Sequence, residues 1–254
     1  MNDLPSAIHP DILPRLDHEY ISIHNAHIAH HVPPHTIPWH PDIRKAPYIP
    51  AFIPKASPPP EGWPVLLYIH GGGWMLGSID TLNSFISRQC KENNCILVAL
   101  DYRLAPENPY PAAVEDTVDA LKFIYYNGKA EFNANVNKIA VGWSSRRKNS
   151  RLTPSISIIF QLLLVPEPDN SPIFPSDALL SKVPPAYLGI CELDILRDEG
   201  IAYGEKLKSL GVKVEVKVYP RAPHQILGMD AALKVGKQQA DDAIRVVGDA
   251  FKAA

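Results

Sequence analysis

The chain has 254 residues, of which 46% are hydrophobic and 20% charged, and its formal net charge is −2. That length and apolar share suit one globular domain with a sizeable core. The charge balance argues against a basic surface for nucleic acid or an anionic membrane.

The N-terminus has neither a basic start nor an apolar stretch of the signal-peptide kind, and no apolar run is long enough to span a bilayer. A soluble, cytoplasmic protein is expected. Residues 1–62 read as a cap or lid segment rich in proline and histidine. Pro33, Pro34, Pro38, Pro41, Pro47, Pro50, Pro54 and Pro58–Pro60 force extended, looping chain. Six of the ten histidines fall between Ile23 and His40. His27 and His31 have the i, i+4 spacing of helix-borne metal ligands, but no zincin glutamate follows, so the segment reads as solvated or lid-forming.

From Trp63 the pattern changes to short apolar runs alternating with helical ones. Pro64–Ile69, Cys95–Leu100, a run beginning at Ile139–Val141, Ile156–Val165, Ala186–Ile190 and Val212–Tyr219 read as strands. Helices are expected over Thr81–Asn93, Ala112–Tyr126, Glu199–Leu210 and Ala231–Phe251. In the second of these, Val114, Val118, Leu121 and Tyr125 recur at helical spacing. The alternation predicts a mainly parallel central sheet with helices on both faces, forming one domain over 1–254 with its core at 63–254. In such sheets reactive groups lie past the carboxyl ends of strands. Cys90, Cys95 and Cys191 are too few and too irregular for a disulfide framework or a zinc site, and read as reduced thiols.

Three motifs stand at strand ends. His70-Gly71-Gly72-Gly73-Trp74 follows the first strand, and its glycines let backbone N–H groups approach a ligand closely. Such donors stabilise the oxyanion that forms when an ester carbonyl is attacked. Asp101, Arg103, Glu107 and Glu115 follow the second strand and read as a buried charged network bracing the loops. Asp194 and His224 follow two late strands that would deliver an acid and an imidazole to one sheet edge. Asp198 and Glu199 open a helix and serve its N-terminus instead.

The HGGGW loop, then DYRLAPENPYPAAVED, then Glu192 to Gly200 and Ala222-Pro223-His224, resemble the hormone-sensitive-lipase-like carboxylesterase branch of the α/β hydrolases. The resemblance runs from about Trp63 onward. It implies the α/β-hydrolase fold, shortened here, with Asp194 orienting the catalytic His224, His70, Gly71 and Gly72 in the oxyanion-hole motif, and no cofactor or metal. The stretches Asn170–Phe174 and Ala222–Asp230 resemble esterases of fungal secondary-metabolite clusters, which implies a small-molecule ester, polyketide-derived, as substrate.

The serine turn departs from the family's G-x-S-x-G. Around it the chain reads Gly142-Trp143-Ser144-Ser145-Arg146-Arg147. Aligned on the family, Ser145 is the nucleophile and Arg146 supplies a further oxyanion N–H, with Trp143 and Arg147 in place of the glycines. In the other register Ser144 is the nucleophile. Lys148–Pro154 lacks the apolar stripe of the helix that should follow. Segments before the HGGGW loop and after Asn170 are also shorter than in the family. This pattern fits exon or gene-model damage, or a degenerating hydrolase. The expectation is therefore a Ser145–His224–Asp194 carboxylesterase, against a non-catalytic binding protein on the same fold or a truncated product.

Overall fold

The computed structural model describes residues 8–28, 51–144, 158–163, 177–224 and 226–254. In chain order its elements are α1 (His18–Ile23), β1 (Ala51–Phe52), β2 (Trp63–Ile69), α2 (Asn83–Asn93), β3 (Ile96–Leu100), α3 (Ala112–Phe132) and β4 (Ala134–Ser144). There follow β5 (Ile158–Leu163), α4 (Asp177–Leu180), β6 (Ala186–Cys191), α5 (Arg197–Ser209), β7 (Val214–Tyr219) and α6 (Lys234–Ala253).

The strands form one seven-stranded sheet in the order β1-β3-β2-β4-β5-β6-β7. Alternate side chains of each strand feed two layers. Leu66, Tyr68, Leu97, Ala99 and Ala140 pack against Phe85 and Ile86 of α2 and Ala243, Ile244 and Val247 of α6. Val65, Leu67, Ile96, Val98, Ile139 and Val141 pack against Ala113, Ala120 and Ile124 of α3. Leu207 of α5 covers Leu188 and Ile190 on β6. The expected two-sided sheet is present, and the apolar runs of β2 and β3 are continuous because both faces are covered.

Two details differ from the sequence reading. On α3 the buried stripe is Ala112, Ala113, Ala120, Ile124 and Gly128. Val114, Val118, Leu121 and Tyr125 stand on its half-buried flank. Small side chains let the helix lie close on the sheet: a Cβ at Gly128 would come within 3.2 Å of the Ala134 Cβ. The second difference is β5, which runs antiparallel to both neighbours, pairing Gly142 with Phe160 and Phe160 with Tyr187. A parallel neighbour needs a long crossover, usually a helix, and the residues after Ser145 lack the pattern of one.

Of the proline- and histidine-rich segment, residues 8–28 lie against the loop after β7. Tyr20 and Ile23 pack on Cys191, Tyr219, Ala222, Ile226 and Leu233. His24 is buried there and not solvated. His30, His31, His35, His40 and the side chain of His27 lie outside the described residues.

Candidate active site

Asp194 follows β6 and His224 follows β7, and these strands are parallel neighbours whose ladder closes at Cys191 opposite Tyr219. The two side chains therefore emerge at the same sheet edge. His224 Nδ1 lies 2.6 Å from Asp194 Oδ2. The other carboxylate oxygen accepts the Leu196 N–H at 2.9 Å, and the Asp194 side chain is fully buried. With Nδ1 donating to a carboxylate, Nε2 carries the free lone pair. That atom is buried and has no hydrogen-bond partner among the described residues. An imidazole held this way is built to accept a proton at Nε2 and to keep the resulting charge next to a carboxylate. Asp198 and Glu199 lie in the first turn of α5, with Asp198 paired to Arg197 at 2.8 Å.

The glycine loop leaves β2 on the same side. Its backbone is left-handed at Gly73 (φ 61°) and Trp74 (φ 66°), and Gly72 has φ 139°. A Cβ on Gly72 would overlap the Leu76 carbonyl oxygen at 1.5 Å, so no other residue fits this turn. His70 is 2% exposed. Its Nδ1 donates to the Gly71 carbonyl at 2.7 Å, and its ring stacks on Tyr102 at 4.3 Å between centroids. The Tyr102 hydroxyl donates to the His70 carbonyl at 2.9 Å. Across a trans peptide the C=O and the next N–H point in opposite directions. Anchoring the His70 and Gly71 carbonyls thus turns the Gly71 and Gly72 N–H groups away from the braces. Neither amide has a hydrogen-bond partner among the described residues. His70 supports the loop from beneath, and the two glycine amides are its presented donors.

The charged network expected after β3 divides in two. Asp101 turns to the glycine loop, with Oδ1 3.3 Å from His70 Nε2, off the line of a well-formed hydrogen bond. Burial pushes the His70 imidazole below its usual value, and the Gly71 carbonyl and Asp101 pull it part of the way back. Arg103 instead pairs with Asp116 at 2.7 Å, and at 3.5 Å with Glu115, near the surface. A guanidinium reaches water readily on its long stem, which is why this half is not buried. Sequence reasoning passed over Tyr102 and Asp116, although both stand within the DYRLAP…VED motif.

Ser144 ends β4. Strand alternation places its side chain with Gly142 and Ala140 on the α2/α6 face, where its Oγ accepts a hydrogen bond from the Tyr68 hydroxyl at 3.1 Å. It is 9% exposed. Trp143 points to the opposite face and packs against both the α3 and the α5 layers. Ser145, Arg146 and Arg147 lie outside the described residues. Among the described residues no cluster of His, Cys, Asp or Glu could hold a metal, and no helix is long and apolar enough to cross a membrane.

The Abhydrolase_3 family, described as having the alpha/beta hydrolase fold, matches residues 66–146 and 150–228, and the match breaks at the serine turn. The AB hydrolase superfamily protein C1039.03 of Schizosaccharomyces pombe is 34% identical over 253 residues, covering 79% of this chain and 74% of its own. Since 79% of 254 is about 201, roughly fifty of those 253 aligned positions face gaps in this chain. Carboxylesterase NlhH of Mycobacterium tuberculosis is 32% identical over 213 residues, 65% of this chain and 66% of the relative. Among solved structures, Bacterial Heroin Esterase superposes with a TM-score of 0.65 at 26% identity, over 80% of this chain and 79% of that one. DphMB1 superposes with a TM-score of 0.69 over 93% and 99%, at 23% identity, and speaks for the fold alone. The sheet, the glycine loop and the length of the match agree: this chain belongs to the Abhydrolase_3 family of α/β hydrolases.

Proposed function

We propose that this protein hydrolyses carboxylic esters with Ser145 as nucleophile, His224 as general base and acid, and Asp194 as the group that orients it. The observation that carries the reading is His224, bonded to Asp194 through Nδ1 and left with a buried Nε2 that has no hydrogen-bond partner among the described residues. Ser145 Oγ attacks the ester carbonyl while Nε2 takes its proton. The oxyanion is received by the N–H groups of Gly71, Gly72 and Arg146. Collapse of the tetrahedral species expels the alcohol, which takes the proton back from Nε2. Water then attacks the acyl group held on Ser145, with the same base removing its proton, and collapse breaks the acyl–Oγ bond, returns that proton from Nε2 to Ser145 and releases the carboxylic acid. Esterases among the relatives support ester chemistry. The shortened stretch after Asn170 favours short acyl groups. An acetyl ester of a polyketide-derived alcohol is the substrate class carried over from the sequence resemblance.

The test is hydrolysis of p-nitrophenyl acetate by the parent and by His224→Ala. The variant should lose at least about 100-fold in kcat/KM, the low end of what a positioned general base supplies. Equal rates would place the turnover elsewhere. A second reading, a binding protein on the same fold, draws on the serine turn: β4 stays paired through Ser144, and the next described strand is antiparallel. Binding of the ester without turnover by the folded parent would favour it.

A further inference from the structure

The loops bearing Asp194 and His224 are tied to each other by more than the His224–Asp194 bond. Beyond the last β6–β7 pair, the Glu192 N–H donates to the Tyr219 carbonyl and the Leu193 N–H to the Ala222 carbonyl, both at 2.9 Å. Between those two acceptors the chain turns at Arg221, whose φ is +58°. A non-glycine residue is held there only when its surroundings over-determine it, and such residues gather at functional sites. Here the surroundings are explicit. The Arg221 N–H donates to Glu192 Oε2 at 2.6 Å. Its carbonyl accepts the Asp17 N–H at 3.1 Å. Its guanidinium donates to the carbonyls of Leu16 at 2.5 Å and Pro14 at 3.3 Å. On the other side, Arg197 Nη1 donates to the Glu192 carbonyl at 3.2 Å.

We propose that Glu192 and Arg221 are positioning residues that hold the Asp194 and His224 loops in register, with residues 14–17 of the N-terminal segment as the third arm of the clamp. Glu192 stands two residues before Asp194, and Arg221 three before His224. The inference rests on the reading of His224 and Asp194 as base and orienting acid. A shift of about 1 Å between the loops would break their hydrogen bond and misplace Nε2.

The test compares Glu192→Ala, which removes the acceptor for the Arg221 amide, with Glu192→Gln, which keeps one. Arg221→Gly relieves the left-handed turn and removes the guanidinium ties. The first readout needs no turnover: the downfield imidazole N–H resonance of His224 in the proton NMR spectrum, identified by its absence in His224→Ala. The second is kcat and KM on p-nitrophenyl acetate. Glu192→Ala is expected to lose or broaden the resonance and to lower kcat about tenfold with KM nearly unchanged, while Glu192→Gln keeps both. Arg221→Gly should move both readouts in the direction of Glu192→Ala. A folded Glu192→Ala with the parental resonance and kcat overturns the proposal. If Glu192→Ala does not fold, a folded Arg221→Gly with the parental resonance overturns it equally. A parent that hydrolyses no ester but whose resonance vanishes in Glu192→Ala keeps the clamp and removes the esterase reading.

Discussion

The Tyr68 hydroxyl donates a hydrogen bond to Ser144 Oγ across neighbouring strands, 3.1 Å away on the face of the sheet covered by α2 and α6. Burial holds the Tyr68 phenol well above its ordinary pKa, so it stays protonated and keeps its role as donor. We read a serine engaged in this way, at the last position of β4, as a structural hydroxyl.

Ser144→Ala should therefore leave kcat/KM on p-nitrophenyl acetate within a few-fold of the parent, whereas Ser145→Ala should abolish turnover. Ser144→Ala strands the buried Tyr68 hydroxyl, which costs about 1–3 kcal/mol, and a thermal melt should show that loss. A Ser144→Ala protein that melts like the parent and turns nothing over would make Ser144 the nucleophile.

Gly72 gives a sharper test of the oxyanion loop. With φ at 139° and an added Cβ 1.5 Å from the Leu76 oxygen, Gly72→Ala cannot keep the turn that presents its own N–H. Losing one such donor costs about 10²–10³ in kcat. The far-ultraviolet circular dichroism should stay that of the parent, because the loop lies outside the sheet ladders. Full activity in Gly72→Ala would mean that the amides of this loop do not hold the reacting oxygen.

His70 makes a statement about pH. Burial lowers its pKa from the usual 6.5, with the Gly71 carbonyl and Asp101 opposing. The unfolded chain then binds the proton more readily than the fold does. The neutral ring's contribution is fully present above about pH 6.5 and is lost as the pH falls toward the lower folded value. The Tm advantage of the parent over His70→Asn should shrink between about pH 7.5 and pH 5.5. An advantage that grows on acidification would mean that a charged His70 pairs with Asp101.

The parts of this molecule that were legible in the sequence are those where local chemistry and global packing agree. β2 and β3 are buried on both faces, so their apolar runs read directly as strands. Asp194 and His224 sit one short turn beyond strands that are adjacent, so their meeting at 2.6 Å follows from chain order. The α3 stripe misled because helix packing selected small residues over large ones. The direction of β5 depends on what joins it to β4, and no periodicity within Ile158–Leu163 carries that information. The pairing of Arg221 with Glu192, Leu16 and Pro14 joins segments about two hundred residues apart at one end and has no local signature. The cover of Tyr20 and Ile23 on the His224 loop is of the same kind.

Trp143 decides how the serine turn can be repaired. Replacing Trp143, Arg146 and Arg147 with small residues would, from sequence alone, be expected to raise kcat. The structure separates these positions. Trp143 is half-buried and lies between the layers under α3 and α5, so replacing it with glycine opens a cavity on that face. A fully buried Trp→Ala costs about 3–5 kcal/mol; a half-buried one should cost about half of that, and glycine adds backbone freedom to the unfolded chain. At about 2–4 °C per kcal/mol for a domain of this size, the triple variant Trp143→Gly, Arg146→Ala, Arg147→Gly should melt about 5–10 °C below the parent. The double variant Arg146→Ala, Arg147→Gly leaves Trp143 in place and should melt within about 2 °C of the parent. If the arginines crowd the nucleophile, the double variant should also raise kcat on p-nitrophenyl acetate, because the rate of attack depends steeply on the placement of Ser145. Steady-state kinetics and a thermal melt on the two variants decide the matter. A double variant that is stable and no faster than the parent would place the fault in the stretch after the serine, whose sequence lacks the pattern of a crossover helix, and not in the arginines. In that case only a graft of such a helix, joined so that the following strand returns parallel to β4, should recover turnover.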